Sequence, residues 1–554
     1  MRKELRIWLG LALVVATGAW LRLRGLTTVS LWFDEWITVD QSTRASLWES
    51  ITASGTHPPL LRLLVRASIA LFGAPSTPGG LDFAARLPSA LLGVASLPFL
   101  FLFARRWARG SAAVGLTAAA LYAVSPYGIY YGQEARYYSG MVLFAAWALH
   151  ALPRLLEAPR SPGRHAYLAA PLTLGLLNHH LFGLLFLLTF AVILPHLVSN
   201  LRRRWILATP WVVAGLIFLP WFFFVVGNLE PQARPWLPDL PTQWHDTGIA
   251  FFTGRIGAFH LAGSAAGPTF YKPLACAAWL VLGAGLSVHL VRRWATGAWR
   301  SAVIVGVALG TTAALHAGGQ TAKFFHHKYL AFLFPFVCLA LAELLVFLAG
   351  PSGGWSSPWA LVLRLRTRRP PDKPAPAGQP LPAASRRTWV VAGLWTGVLV
   401  VTLIAGRRLV PNTVEAFQRI RPGAARPFRK QPYRDTARWV QSHRGKRTLV
   451  VVWDPFSQRN NLTILRHYGI TAPVVIYKWH QLEHPVTFWA KFMPDLTAAR
   501  DVIVVTAQCS EAQRRRVETT LAWGFSRRVH TQRFIGAEGT IHATILAPAR
   551  PGGQ

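Results

Sequence analysis

Acidic residues are scarce in this 554-residue chain, 22 Asp and Glu against 58 Lys and Arg, so their positions carry information. Asp34 and Glu35 lie in SLWFDEWITVD, flanked by Trp32, Phe33 and Trp36. Such aromatics gather at a membrane–water boundary, where a partly desolvated carboxylate is a better base than one in bulk water. An ordinary loop acid or helix cap explains the pair equally well by position alone. A second group is His57-Pro58-Pro59-Leu60, although a proline pair also simply starts helices. The run SPYGIYYGQEARYYS, residues 125–139, sets Gln133, Glu134 and Arg136 among five tyrosines, Tyr137 included. A helix-end ion pair inside an aromatic belt is its plainer account. Arg86, in DFAARLPS, is a further cation that snorkelling alone could explain. The run KFFHHKY adds Lys323, Lys328 and Tyr329, which helix anchoring alone could explain.

These residues need elements to hold them, and the composition says of what kind. The chain is 52% hydrophobic with 24 Trp and 31 Phe. Only 14% is charged, against roughly 25% in soluble proteins. That excludes disorder, fibres and small disulfide scaffolds. A net charge of +36 would suit nucleic acid. However, the arginines fall in short clusters between apolar runs, as in a polytopic membrane protein, and nucleic acid is not an expected partner. Cys276, Cys338 and Cys509 stand far apart with no ligand spacing.

A spanning helix needs about 20 apolar residues. Candidates fall at about 5–24, 83–104, 111–130, 138–153, 165–178, 181–200, 205–226, 269–291, 300–317, 329–349 and 388–406. The first reads as a retained anchor, not a cleaved signal. Residues 58–73 are excluded because Arg62 and Arg66 share one helical face and each charge costs about 2.5–3.5 kcal/mol near the bilayer centre. They are expected to form an interfacial helix instead. Basic clusters at 105–109, 154–164, 202–204, 292–293 and 364–387 then share one side with Arg2 and Lys3. This parity puts the N-terminus inside, and 25–82, 131–137, 227–268, 318–328 and the chain after 407 outside.

The expected architecture is an all-α polytopic bundle of about eleven transmembrane helices plus a small C-terminal α/β soluble domain. Residues 1–350 form the transmembrane core with its outer loop 25–82. The Pro-, Gly- and Arg-rich segment 351–387 is read as a disordered cytoplasmic linker, and 388–406 as the last span. Within 407–554, β-rich runs at 448–453, 474–477, 502–506 and 540–547 alternate with helical stretches at 435–443 and 511–523.

On this topology Arg86, Arg136, Lys323 and Lys328 lie outside, where few cations are expected, beside two acidic sites. Such a set suits transfer of a group from a lipid phosphate to a hydroxyl. Cations hold the phosphate, and one carboxylate takes the proton of the attacking hydroxyl. The phosphate leaves without a general acid, unlike the leaving group of a glycosidase. A single displacement of this kind inverts the reacting carbon. The rival class is a transporter or flippase of lipid-linked sugars. It predicts ionisable residues at mid-membrane depth, of which Glu343, towards the inner side, is the clearest. A binding or scaffold protein working through its tail would leave the outer cations unexplained.

The order WFDE, HPPL, RLPS and SPYGIYYGQEARYYS, followed by NHHLFGLL and HKYLAFLFPF, resembles membrane glycosyltransferases of the GT-C superfold over roughly residues 5–350. The closest group is the family-39-like protein mannosyltransferases and the aminoarabinose transferases. The resemblance implies a GT-C-like fold in a bacterial inner membrane, with a polyprenyl-phosphate sugar as donor and transfer at the outer face. Asp34 matches the family's base, and Glu134 an acidic residue that builds the site and could ligate a divalent cation. Asp34 and Glu134 are therefore the metal candidates, with the ion itself unknown. Glu35 is assigned to supporting Asp34. Arg136, Lys328 and His57 match donor-binding positions, and Arg86, Tyr137 and Tyr329 are grouped with them. Lys328 stands where the family carries Arg, a point charge in place of a bidentate fork. The acceptor could be lipid, glycan or protein.

Overall fold

The computed structural model describes residues 2–53, 57–73, 78–198, 205–227, 281, 285, 327–349, 433–445, 447–454, 460–470, 474–478, 499–507, 514, 517, 525, 527–536 and 539–547. The expected spans at 269–291, 300–317 and 388–406, the linker 351–387, Lys323 and most of 511–523 lie outside the described residues.

Ten helices run through the N-terminal part: α1 Arg2–Leu23, α2 Phe33–Ser42, α3 Leu47–Thr52, α4 Leu60–Phe72, α5 Pro78–Trp107, α6 Ala112–Val124, α7 Pro126–Gly132, α8 Tyr138–Glu157, α9 Pro162–Asn178 and α10 Phe182–Val198. Helices Thr209–Gly227 and Phe334–Ala349 follow. Among the described residues, Glu4–Leu23, Gly79–Trp107, Tyr138–Glu157 and Trp205–Phe224 are long and apolar enough to cross a membrane. Phe182–Leu194 and Leu330–Val346 are apolar but shorter. The single span expected at 111–130 is two helices, α6 and α7, bent by 58°. The break has a local cause. Pro126 lacks an N–H and disfavours helical geometry at Ser125. Ser125 ends α6 and starts α7, its side chain accepting from the Gly128 N–H.

By internal contacts the chain divides into two units. The first comprises 1–24, 51–61 and 89–417, and the second 25–50, 62–88 and 418–554. In the first unit α1 packs on α6, α8 on α9, and Phe334–Ala349 on α6 and α8. Its core includes a cation. Arg22 is fully buried, donating to the carbonyls of Gly18, Tyr122 and Ala123 and lying over the Tyr122 ring. A guanidinium inside a span is tolerated only with such partners.

The second unit carries a five-stranded sheet ordered β2-β1-β3-β5-β4, from β1 Thr448–Asp454, β2 Val474–Lys478, β3 Asp501–Ala507, β4 Arg527–Gly536 and β5 Gly539–Ala547. The first three strands are parallel, and β5 pairs antiparallel with β3 and β4. Val450, Val452, Ile503, Val505, Ile541 and Ala543 form its core with Tyr433, Val440 and Ile464 from helices Tyr433–His443 and Asn460–His467. Strand β4 and helix Asn460–His467 were not foreseen. Trp36 of α2 packs against this core.

Candidate functional site

Two groups of the expected site residues assemble, one in each unit. In the second unit, α2 carries Asp34 and Glu35 in its first turn. Glu35 is fully buried and accepts the Trp32 N–H at 3.2 Å, capping the helix start. Its two oxygens also take Arg86 Nε at 2.7 Å and Nη2 at 2.6 Å, a bidentate ion pair with no exposure on either side. Arg86 donates further to the carbonyls of Leu26, Val29 and Ser30. A guanidinium has five N–H groups, and these five bonds engage them all. Arg86 thereby clasps the loop between α1 and α2 onto α5. Glu35 likewise supports the start of α2. Asp34, half-buried, stays on the same turn, its carbonyl accepting from Thr38 Oγ1 at 3.3 Å.

More of the second unit holds this loop than the sequence suggested. Tyr468 Oη accepts the Leu31 N–H at 2.7 Å and donates to Asp82 at 3.0 Å. Arg434 also bonds Asp82 and reaches the Thr27 carbonyl. Trp36 Nε1 donates to Thr463 Oγ1 at 2.9 Å. Burial, then the nearby Asp82 carboxylate, push the Tyr468 phenol well above its ordinary range. The basic face of α4 also turns inward. Arg62 is buried and reaches Gln41, while Arg66 bonds the carbonyls of Ser42 and Arg44 and the Ser50 hydroxyl. Burial pulls Arg62 down to about 10.

In the first unit, Gln133, Glu134 and Arg136 form the turn between α7 and α8. Gln133 donates to the Leu21 and Arg24 carbonyls, fixing the end of α1. Glu134 is 1% exposed, a carboxylate inside the protein. Arg136 lies over the Tyr137 ring at 4.9 Å and reaches its hydroxyl at 3.3 Å. Tyr137 Oη stands 3.5 Å from His57 Nε2. The tyrosines are interior, not a surface belt: Tyr127, Tyr130, Tyr131, Tyr137 and Tyr138 are all buried and stack edge-to-face through the sequence. Asn178 at the end of α9 donates to the Tyr137 carbonyl at 2.9 Å. Lys328 and Tyr329 lie in the 3-10 segment His327–Leu333, which packs on α8, with their side chains outside the described set.

Two residues not assigned to the site complete this group. His179 and His180, in the turn between α9 and α10, stack with His57 and Tyr137. His57, His179 and His180 could together hold a metal ion. A His pair directly after an apolar run, on the expected outer side, was the available signal. Glu134 and Asp34, the sequence's own metal candidates, are not in that group.

Residues 56–226 match the family of dolichyl-phosphate-mannose-protein mannosyltransferases. No curated protein matches the chain. Among solved structures it is similar to ArnT from Cupriavidus metallidurans bound to undecaprenyl phosphate, at 15% identity and TM-score 0.48, with 99% of each chain covered. It is also similar to the oligosaccharyltransferase AglB from Archaeoglobus fulgidus with an inhibitory peptide and a dolichol-phosphate, at 12% identity and TM-score 0.49, covering 91% of this chain and 69% of that one. The apo form of the Archaeoglobus fulgidus oligosaccharyltransferase gives 12% identity and TM-score 0.50, over 93% of this chain and 71% of that one. Residues 56–226 thus match a protein mannosyltransferase family model, and the fold is similar to that of the Archaeoglobus fulgidus oligosaccharyltransferase.

Proposed function

We propose that this protein moves a sugar from a polyprenyl-phosphate donor to an acceptor hydroxyl at the outer face of a bacterial inner membrane. The observation that carries the reading is where the family segment falls. Residues 56–226 contain the buried Glu134, Arg136 and Tyr137 and the half-buried His57, a polar group at the end of apolar helices. Such a group is costly beside lipid and is retained where it binds something.

In this reading Asp34 accepts the proton of the acceptor hydroxyl, and the oxygen displaces the phosphate in one inverting step. The first turn of α2 presents Asp34, and Glu35 and Arg86 fix that turn without touching substrate. Arg136 and His57, with Lys328, offset the charge building on the leaving phosphate, and fixed charges of this kind are usually the largest catalytic term. Glu134, beside Arg136 in the chain, orients that cation or the acceptor. In this reading the C-terminal unit lies on the outer side, a placement supported by the bonds of Tyr468, Arg434 and Thr463 to the segment around Asp34.

The test is to compare lipid-linked sugars in cells with and without the protein, and to follow a labelled polyprenyl-phosphate sugar in membranes. Accumulated donor in its absence and label transfer in its presence are expected. Equal lipid pools with no transfer would overturn the reading. Lys328→Ala is expected to raise the donor concentration needed for half-maximal rate, and an unchanged requirement would remove Lys328 from the phosphate.

A further inference from the structure

We propose that His57, His179 and His180 form a site for one divalent transition-metal ion of the zinc class. The three imidazoles come from the turn ahead of α4 and from the turn between α9 and α10. One ring nitrogen of each lies within 4.8 Å of the others. His179 and His180 have ring centroids 4.5 Å apart, and His57 and His180 lie 5.9 Å apart with planes only 15° from parallel. Zinc binds imidazole nitrogen at about 2.0–2.1 Å, so small side-chain movements would close the set around one ion.

The donor chemistry selects the ion. An all-imidazole set suits zinc, copper or nickel, whereas calcium and magnesium need oxygen ligands. Three protein ligands also leave a fourth position open, as in catalytic rather than structural zinc sites. His179 Nδ1 accepts the Leu181 N–H at 3.1 Å. A metal bound at that nitrogen would displace one N–H, at a helix start where the first N–H groups have no helical partners.

Tyr137 ties the site to the rest of the group. Its ring lies 4.1 Å from that of His179 and 4.9 Å from that of His57. A phosphate oxygen is the ligand class that would fill the open position. That last step rests on the glycosyl-transfer reading, whereas the metal site does not.

The chain has 18 histidines, so binding must be assigned by substitution. The untagged full-length protein in detergent, stripped with a chelator, is titrated with Zn2+ by calorimetry and with Co2+ by visible absorption. One tight ion per chain and the bands of four-coordinate Co2+ are expected. Loss of a residue that only hydrogen-bonds a metal ligand typically weakens metal sites about 10–100-fold, so His179→Ala and His180→Ala are each expected to weaken binding at least about tenfold. His150→Ala, three turns along α8, should leave it unchanged. No ion bound by the parent, or equal binding in all variants, overturns the proposal. If a substituted chain fails to fold, the parent's Co2+ spectrum decides by itself, since absent four-coordinate bands overturn the site. Metal binding with transfer unaffected by chelation would keep the site and remove its link to the donor.

Discussion

Asp34 and Glu35 are neighbours in different surroundings, and burial is what separates them. Glu35 is sealed with Arg86, whereas Asp34 keeps part of its surface. Breaking one side of a buried ion pair leaves the partner charged and desolvated, which costs about 3–5 kcal/mol. Arg86→Ala is therefore expected to lower stability by about that amount, read by denaturant unfolding of the purified protein. A loss confined to donor affinity, with stability intact, would return Arg86 to the phosphate. Tyr468 gives a pH prediction. Its folded-state ionisation lies above that of a free phenol, so its contribution is complete below pH 10, the ordinary value, and declines above it. Stability should fall in that alkaline range, and Tyr468→Phe should flatten the fall. The pairing of Glu35 with Arg86 was not legible in the sequence, because the partners stand 51 residues apart and no periodicity links them. The sequence placed Glu35 beside Asp34, but Arg86 looked like any cation at a helix end.

Among elements, the long apolar helices were the most legible, because a run of hydrophobic residues is sufficient signal for α1, α5 and α8. The bend between α6 and α7 was hidden by the continuity of that signal, although the Ser-Pro pair that causes it stood in plain view. Strands β1, β2, β3 and β5 are apolar runs and were anticipated. Strand β4, RRVHTQRFIG, is dominated by basic and polar residues and offers no such run. The shared face of Arg62 and Arg66 suggested an interfacial helix, and in the structure both arginines bond the α2–α3 region, partners that no periodicity reveals. The junction of α8 and α9 yields a prediction of its own. A Cβ at Gly140 would fall 2.6 Å from Asn178 Oδ1, whose amide holds the Tyr137 carbonyl. Gly140→Ala should destabilise by about 1–3 kcal/mol and lower transfer through a displaced Tyr137. Unchanged melting and unchanged transfer would show that the helices re-space freely.

At the scale of the molecule, a helical unit carries the buried Glu134, Arg136 and Tyr137 with the half-buried His57, and a sheet-bearing unit carries the Asp34 loop. The match over residues 56–226 was foreseeable from the short motifs HPPL, RLPS, SPYGIYYGQEARYYS and NHHLFGLL in order. The two histidines were not assigned, since a pair following a helix end reads as incidental until a third ring joins it. The central claim is that Asp34 takes the proton of the acceptor. It is tested most directly by single-turnover transfer from a labelled polyprenyl-phosphate sugar by purified Asp34→Asn protein, with donor binding measured on the same sample. General-base catalysis contributes about 10²–10⁴-fold, so the rate should drop by at least about a hundredfold while donor binding and melting are retained. Transfer at the parent rate would contradict the account.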